Sequence, residues 1–174
     1  MTRLISALLE CGALKFGDFT LASGLKSDYY IDIKRASTDP KVLSVISKSM
    51  AETLREREIK PDVIAGVVLG SIPLVTALSL ETGIPFVMVR KEKKEHGTGN
   101  LIEGTISEGA EVLVVEDVIT SAGSAIFAVK TLRGAGARVL KVLSVIDRES
   151  GGTESLDLEG VELISLLKAS QIPR

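Results

Sequence analysis

A chain of 174 residues, 45% of them hydrophobic and with a formal net charge of −2, is long enough for one three-layer domain and has no excess positive charge with which to meet a nucleic acid. Cys11 is the only cysteine, which excludes an internal disulfide, a cysteine zinc cluster and a dithiol redox pair. No basic-then-apolar leader opens the sequence and no apolar run approaches the length of a membrane span. A cytoplasmic protein with neither a nucleic-acid nor a membrane partner is therefore expected.

The chain contains no Trp and four Phe, so its core must be built from Val, Ile, Leu and Ala, which suits a parallel sheet. Ile5, Leu8, Leu9 and Cys11 to Leu14 give an opening helix that Gly12 should end. Residues 15–23 and 26–34 read as two short strands around Ser23-Gly24. Asp39-Pro40 supplies an N-cap and a first-turn proline for a helix with apolar residues at Val42, Val45, Ile46, Met50 and Leu54, running to about Glu58. A buried strand at 62–68, a helix at 72–82 closed by Gly83 and a strand at 86–89 form a βαβ unit. Strands at 112–115 and 139–146, a helix from about Ser124 to Arg133 and a last strand at 161–167 continue the alternation. The polar stretch 90–111 is either a disordered insertion or a working loop.

Chemistry is densest at 112–124. Val112 to Val115 is apolar enough to be buried on both faces, which puts Glu116 and Asp117 at the carboxyl end of a parallel strand, where ligands collect. Thr120, Ser121, Ala122, Gly123 and Ser124 are small and rich in hydroxyls and precede a helix, the composition of a phosphate cradle. The spacing fits neither a P-loop nor a dinucleotide turn. Paired carboxylates can accept both ring hydroxyls of a ribose while the turn from Val118 to Ser124 holds its 5′-phosphate. A plain strand-to-helix turn with capping acids is the competing reading. Ala122 suits the turn if its φ is negative, whereas a left-handed conformation costs it about 1 kcal/mol or more.

Arg90, Lys91, Lys93 and Lys94 fall within five positions, with His96 and Gly97-Thr98-Gly99 after them. A basic segment between two strands can close over a polyphosphate and neutralise it, although a solvated charge run is the bland alternative. Gly70 and Ser71, at the end of the 62–68 strand, offer a second and weaker place where backbone N–H groups could meet phosphate oxygens.

Ser-Gly-Leu-Lys-Ser-Asp-Tyr-Tyr around Lys26, Arg-Lys-Glu-Lys-Lys-Glu-His-Gly from Arg90, Glu-Asp-Val-Ile-Thr-Ser-Ala-Gly-Ser from Glu116 and the late Asp147-Arg148-Glu149 resemble, in order and spacing, the orotate phosphoribosyltransferases of the type I phosphoribosyltransferase family. The resemblance spans nearly the whole chain. It implies an α/β fold with a central, mainly parallel, twisted sheet flanked by helices. A small hood would come from about 1–35 and 150–174, a core from about 36–149 and a catalytic loop from about 90–104, all in one domain. It implies a transfer of ribose 5-phosphate from phosphoribosyl pyrophosphate to orotate, assisted by Mg²⁺ held by substrate and water rather than by dedicated ligands. Lys94, His96 and Asp117 would be catalytic. Arg90, Lys91, Lys94, His96 and Glu116 to Ser124 would bind phosphoribosyl pyrophosphate, with Gly70 and Ser71 as a minor pyrophosphate loop. Lys26, Thr120 and Arg148 would bind orotate, and a homodimer would let Arg90 to His96 serve the neighbouring site. A transferase for another base and a non-catalytic sensor of phosphoribosyl pyrophosphate are the alternatives.

Overall fold

The computed structural model of the chain describes residues 3–20, 26–92 and 100–172. A six-stranded sheet organises it: β3 (Val63–Val67), β4 (Phe86–Val89), β5 (Ile102–Glu103), β6 (Glu111–Ile119), β7 (Arg138–Asp147) and β8 (Glu162–Lys168), in the order β5-β4-β3-β6-β7-β8. Only β5 runs antiparallel to its neighbour. Ahead of the sheet come helix α1 (Arg3–Glu10) and an antiparallel hairpin of β1 (Leu14–Thr20) and β2 (Lys26–Ile31).

Period-2 alternation divides the strand side chains between two helical layers. Ile64, Leu113, Val115 and Leu143 join one core with α1, α2 (Ile33–Ser37), α3 (Pro40–Glu56) and α4 (Ile72–Thr82). Ala65, Val112, Val114 and Val142 join the other with α5 (Gly123–Gly134) and with Leu156 of α6 (Gly152–Leu158). Leu4, Ile5 and Leu8 of α1 share the first core with Ile172, so α1 and the segment after β8 are packed onto the same side of the sheet. No described helix is long and apolar enough to cross a membrane.

Strand order reverses between β3 and β6. From β3 the chain moves outward to β4, and from β6 it moves the other way to β7 and β8. That is a topological switch point, and the connections leaving β3 and β6 flank a crevice at the carboxyl ends of the strands. The βαβ unit has the expected bounds at α4 and β4, with Gly83 left-handed at φ 75°. Asp39 caps α3 as expected, accepting from the amides of Lys41 (2.9 Å) and Val42 (3.4 Å); α3 ends two residues earlier, at Glu56.

Other expectations are corrected. Gly12, at φ 69°, does close the opening helix, which stops at Glu10, but Leu14, expected on its apolar face, belongs to β1 instead. The strand expected through Lys34 ends at Ile31, since the Asp32 carboxylate accepts from Arg35 N at 3.0 Å and caps α2. Within the 90–111 stretch β5 pairs with β4, and Arg90 N donates to Leu101 O at 2.7 Å. β8 runs one residue later than expected, after α6, which the sequence reading lacked.

Candidate active site

The two acids of the central stretch have different surroundings. Glu116 is buried on β6, next to Ser144 in the β6–β7 register. Its Oε2 accepts a hydrogen bond from Ser71 Oγ at 2.7 Å, and its Oε1 is buried with no partner among the described residues. Burial, the dominant influence, pushes its carboxyl up to about 7, with Asp117 adding to the rise and the Ser71 bond and Lys91 opposing it. Asp117 is half-buried and accepts from Val118 N through Oδ1 at 2.8 Å. Its Oδ2 lies where a side chain on Gly70 would stand, since a Cβ there would come within 2.5 Å of it. Glycine at 70 therefore lets the β3 connection close against the acid.

Past the acids the chain turns into α5. Ala122 is buried at φ 64°, so the left-handed, costlier conformation is the one adopted. Ile126 N donates to Ala122 O at 2.9 Å, whereas the amides of Gly123, Ser124 and Ala125 make no hydrogen bond among the described residues. Nor does a side chain cap this helix. Nothing lies within 4 Å of a Cβ placed on Gly123. Open amides at a positive helix end beside open space can hold a phosphate. Thr120 and Ser121 are exposed at the mouth and Ser124 is half-buried. Val118 and Ile119 instead pack into the two cores, leaving only their backbone for a ligand, and Ile119 O already accepts from Arg148 N at 2.9 Å.

That backbone bond brings Arg148 beside Thr120. The Arg148 guanidinium lies over the Tyr29 ring, 5.3 Å from its centroid. Asp147 is no surface partner for it: the buried carboxylate accepts from Glu149 N (2.8 Å) and Thr153 Oγ1 (3.4 Å) and fixes the turn. Lys26 is placed differently. Its Nζ donates to Thr20 Oγ1 at 2.9 Å across the hairpin, and strand alternation puts it on the face opposite Tyr29.

Arg90 follows β4 at the same end of the sheet, where Val68 N donates to Val89 O, and pairs with Glu103 at 3.6 Å. Lys91 is exposed, and its charge reaches Glu116. Lys94 and His96 lie outside the described residues. Gly70 and Ser71 do flank the crevice, but Ser71 N is directed to Val67 O (3.3 Å) and Pro73 has no N–H to offer. A hollow of ≈ 550 Å³ between the carboxyl ends of α3 and α4 lies at the opposite end of the sheet from these groups.

Sequence reasoning missed the Ser71–Glu116 bond and the Tyr29 platform. A serine before a helix reads as a cap, and Tyr29 reads as an ordinary strand aromatic.

An acid pair beside an uncapped helix at a switch point is the arrangement of a protein that grips a phosphorylated sugar. Residues 35–166 match the phosphoribosyl transferase domain, which gives the class. The chain is 48% identical over 169 residues to the orotate phosphoribosyltransferase of Pyrococcus abyssi, covering 97% of this chain and 93% of that one. It superposes on the orotate phosphoribosyltransferase of Aeropyrum pernix with a TM-score of 0.86 and 34% identity, over 97% and 95% of the two chains. The Mycobacterium tuberculosis orotate phosphoribosyltransferase in complex with 5-phospho-α-D-ribosyl 1-diphosphate matches at TM-score 0.79 and 32% identity, over 98% of each. The chain belongs to the orotate phosphoribosyltransferase family.

Proposed function

We propose that this protein transfers the ribose 5-phosphate group of phosphoribosyl pyrophosphate to orotate, releasing pyrophosphate and forming orotidine 5′-monophosphate for cytoplasmic pyrimidine synthesis. The observation that carries the reading is the junction of the Glu116–Asp117 pair with the open amino terminus of α5. Acids suit ring hydroxyls and amides suit a phosphate, so one substrate bearing both groups spans the junction.

Breaking the anomeric C–O bond leaves positive charge on the ring and negative charge on the departing pyrophosphate. Glu116 and Asp117 accept the ring hydroxyls and lie where negative charge favours the cationic ring. The amides of Gly123, Ser124 and Ala125, with the hydroxyls of Thr120, Ser121 and Ser124, hold the 5′-phosphate. Arg148 meets the carboxylate of orotate with its planar fork, beside Thr120. Arg90 and Lys91 face the pyrophosphate, to which Lys94 and His96 add charge and a proton donor, from the neighbouring copy of a homodimer.

Among the described residues no group of three or more His, Cys, Asp or Glu side chains could hold a metal ion. That donor set fits Mg²⁺ carried by the diphosphate and water rather than by side chains of this chain. When bound, such an ion would supply charge to neutralise the leaving group. The test is to supply phosphoribosyl pyrophosphate and Mg²⁺ with orotate, uracil, adenine or hypoxanthine in turn and follow pyrophosphate release. Release with orotate alone is expected, and none with orotate overturns the assignment.

A further inference from the structure

Ser71 stands at the N-cap of α4, where a serine hydroxyl ordinarily accepts a hydrogen bond from an amide of its own helix. It makes no such bond. Pro73 already presets the first turn, and the hydroxyl donates instead to Glu116 Oε2, 45 residues along the chain, at 2.7 Å. Ser71 is fully buried and Glu116 is 5% exposed, so little water competes with the bond. Ser144, the register neighbour of Glu116, is also fully buried and its hydroxyl has no partner among the described residues, of which Ser71 alone donates a side-chain hydrogen bond to this carboxylate.

We propose that Ser71 is a positioning residue for the transfer reaction: it gives up its cap to hold one oxygen of Glu116, which orients the other towards a sugar hydroxyl and keeps the group an acceptor. This rests on the reading that the crevice takes the ribose of phosphoribosyl pyrophosphate.

The same bond governs the proton. Glu116 is pushed up to about 7 by burial, and the Ser71 bond is the largest influence opposing that rise. The charged groups around it are Asp117 from β6, which raises it, and Lys91 after β4, which lowers it. Lys34 of α2 reaches the Gly70 turn beside Asp117. Glu116 is ionised above the midpoint, accepting sugar hydroxyls with its full charge, and takes up a proton below it. Removing the Ser71 hydroxyl moves the midpoint upward and leaves more of the enzyme protonated at neutral pH.

The experiment measures kcat/KM for phosphoribosyl pyrophosphate against pH, which reports groups of the free enzyme. Wild type is expected to show an acid limb with its midpoint near 7. Ser71→Ala should move that limb up by about one pH unit, equivalent to about tenfold in proton affinity, and lower the alkaline plateau as well, since the ionised carboxylate is then no longer held in place. Ser71→Thr, which retains the hydroxyl, should keep the wild-type midpoint. Glu116→Gln should remove the limb, and Ser71→Ala should add nothing in that background. An unmoved limb in Ser71→Ala, or an undiminished effect of Ser71→Ala beside Glu116→Gln, overturns the inference. Infrared titration of the Glu116 carboxyl band, assigned by difference from Glu116→Gln, reads the same midpoint without substrate. Absence of turnover with orotate would therefore overturn the proposed function alone, whereas a band unmoved by Ser71→Ala would overturn this inference.

Discussion

Two strand-to-helix connections lie side by side at the switch point, and they make opposite use of similar residues. The one leaving β3 is closed: Ser71 N donates to Val67 O, Ile72 N donates to Leu69 O, and Pro73 has no N–H. Its serine hydroxyl is turned sideways into the neighbouring strand. The one leaving β6 is open: among the described residues the Gly123, Ser124 and Ala125 amides are unengaged, and a glycine faces space. Small residues at a helix start therefore do not by themselves mark an anion site. What separates the two turns is where the backbone donors go.

The sharpest way to break this comparison is at the acid between the turns. Asp117→Asn removes the charge but keeps the shape, and kcat/KM for phosphoribosyl pyrophosphate should fall by about 10²- to 10³-fold, measured by pyrophosphate release. Next comes the open turn. Gly123→Val fills the space beside the free amides, so affinity for ribose 5-phosphate by calorimetry should fall roughly tenfold to a hundredfold, the worth of one charge-assisted hydrogen bond. Its thermal midpoint should not fall, since a Cβ at 123 meets nothing within 4 Å. An unchanged affinity would show that the amides of α5 hold no phosphate.

A third contrast is between the phosphate side and the base side. Arg148→Gln should raise KM for orotate about tenfold while KM for phosphoribosyl pyrophosphate stays near wild type. Tyr29→Leu removes only the aromatic platform, so its effect on the same KM should be smaller, about threefold. Equal rises for both substrates would move Arg148 off the base side. Steady-state kinetics with each substrate varied in turn checks both variants.

The residues that were legible before the structure are those whose signal is local. Asp39-Pro40 marks the start of α3, Gly83 closes α4, and the run of Val112 to Val115 marks a buried strand because each feature acts within a few positions. Asp32 acts just as locally, but Tyr29 to Lys34 also alternates as a strand does, and that pattern hid the cap. β5 is two residues long and leaves no periodicity to read. The acid pair and the small turn at 116–124 were readable as chemistry. Their division of labour was not, because the Ser71 hydroxyl and the Gly70 gap come from a segment about 45 positions earlier and the Tyr29 ring from the opening hairpin, which only the folded chain brings together.

The smallest expected effect tests what holds the open turn open. Ser71 precedes its helix at φ −85°, which any residue adopts, but Ala122 precedes α5 at φ 64°. Left-handed backbone costs an alanine about 1 kcal/mol, which Ala122→Gly would recover. The substitution also removes a methyl group that is buried in the α5 core, worth about 0.8 kcal/mol, and frees the unfolded chain by about 0.4–1 kcal/mol. The opposing terms nearly cancel, so urea unfolding should place Ala122→Gly within about 1 kcal/mol of wild type and on the less stable side. Ala122→Val keeps the apolar contact but puts a β-branched residue in the same conformation, and it should cost more than Ala122→Gly. If Ala122→Gly proves clearly stabilising, the backbone strain outweighs the methyl packing. If Ala122→Val costs less than Ala122→Gly, the methyl contact rather than the left-handed bend keeps the amides of α5 turned towards the crevice.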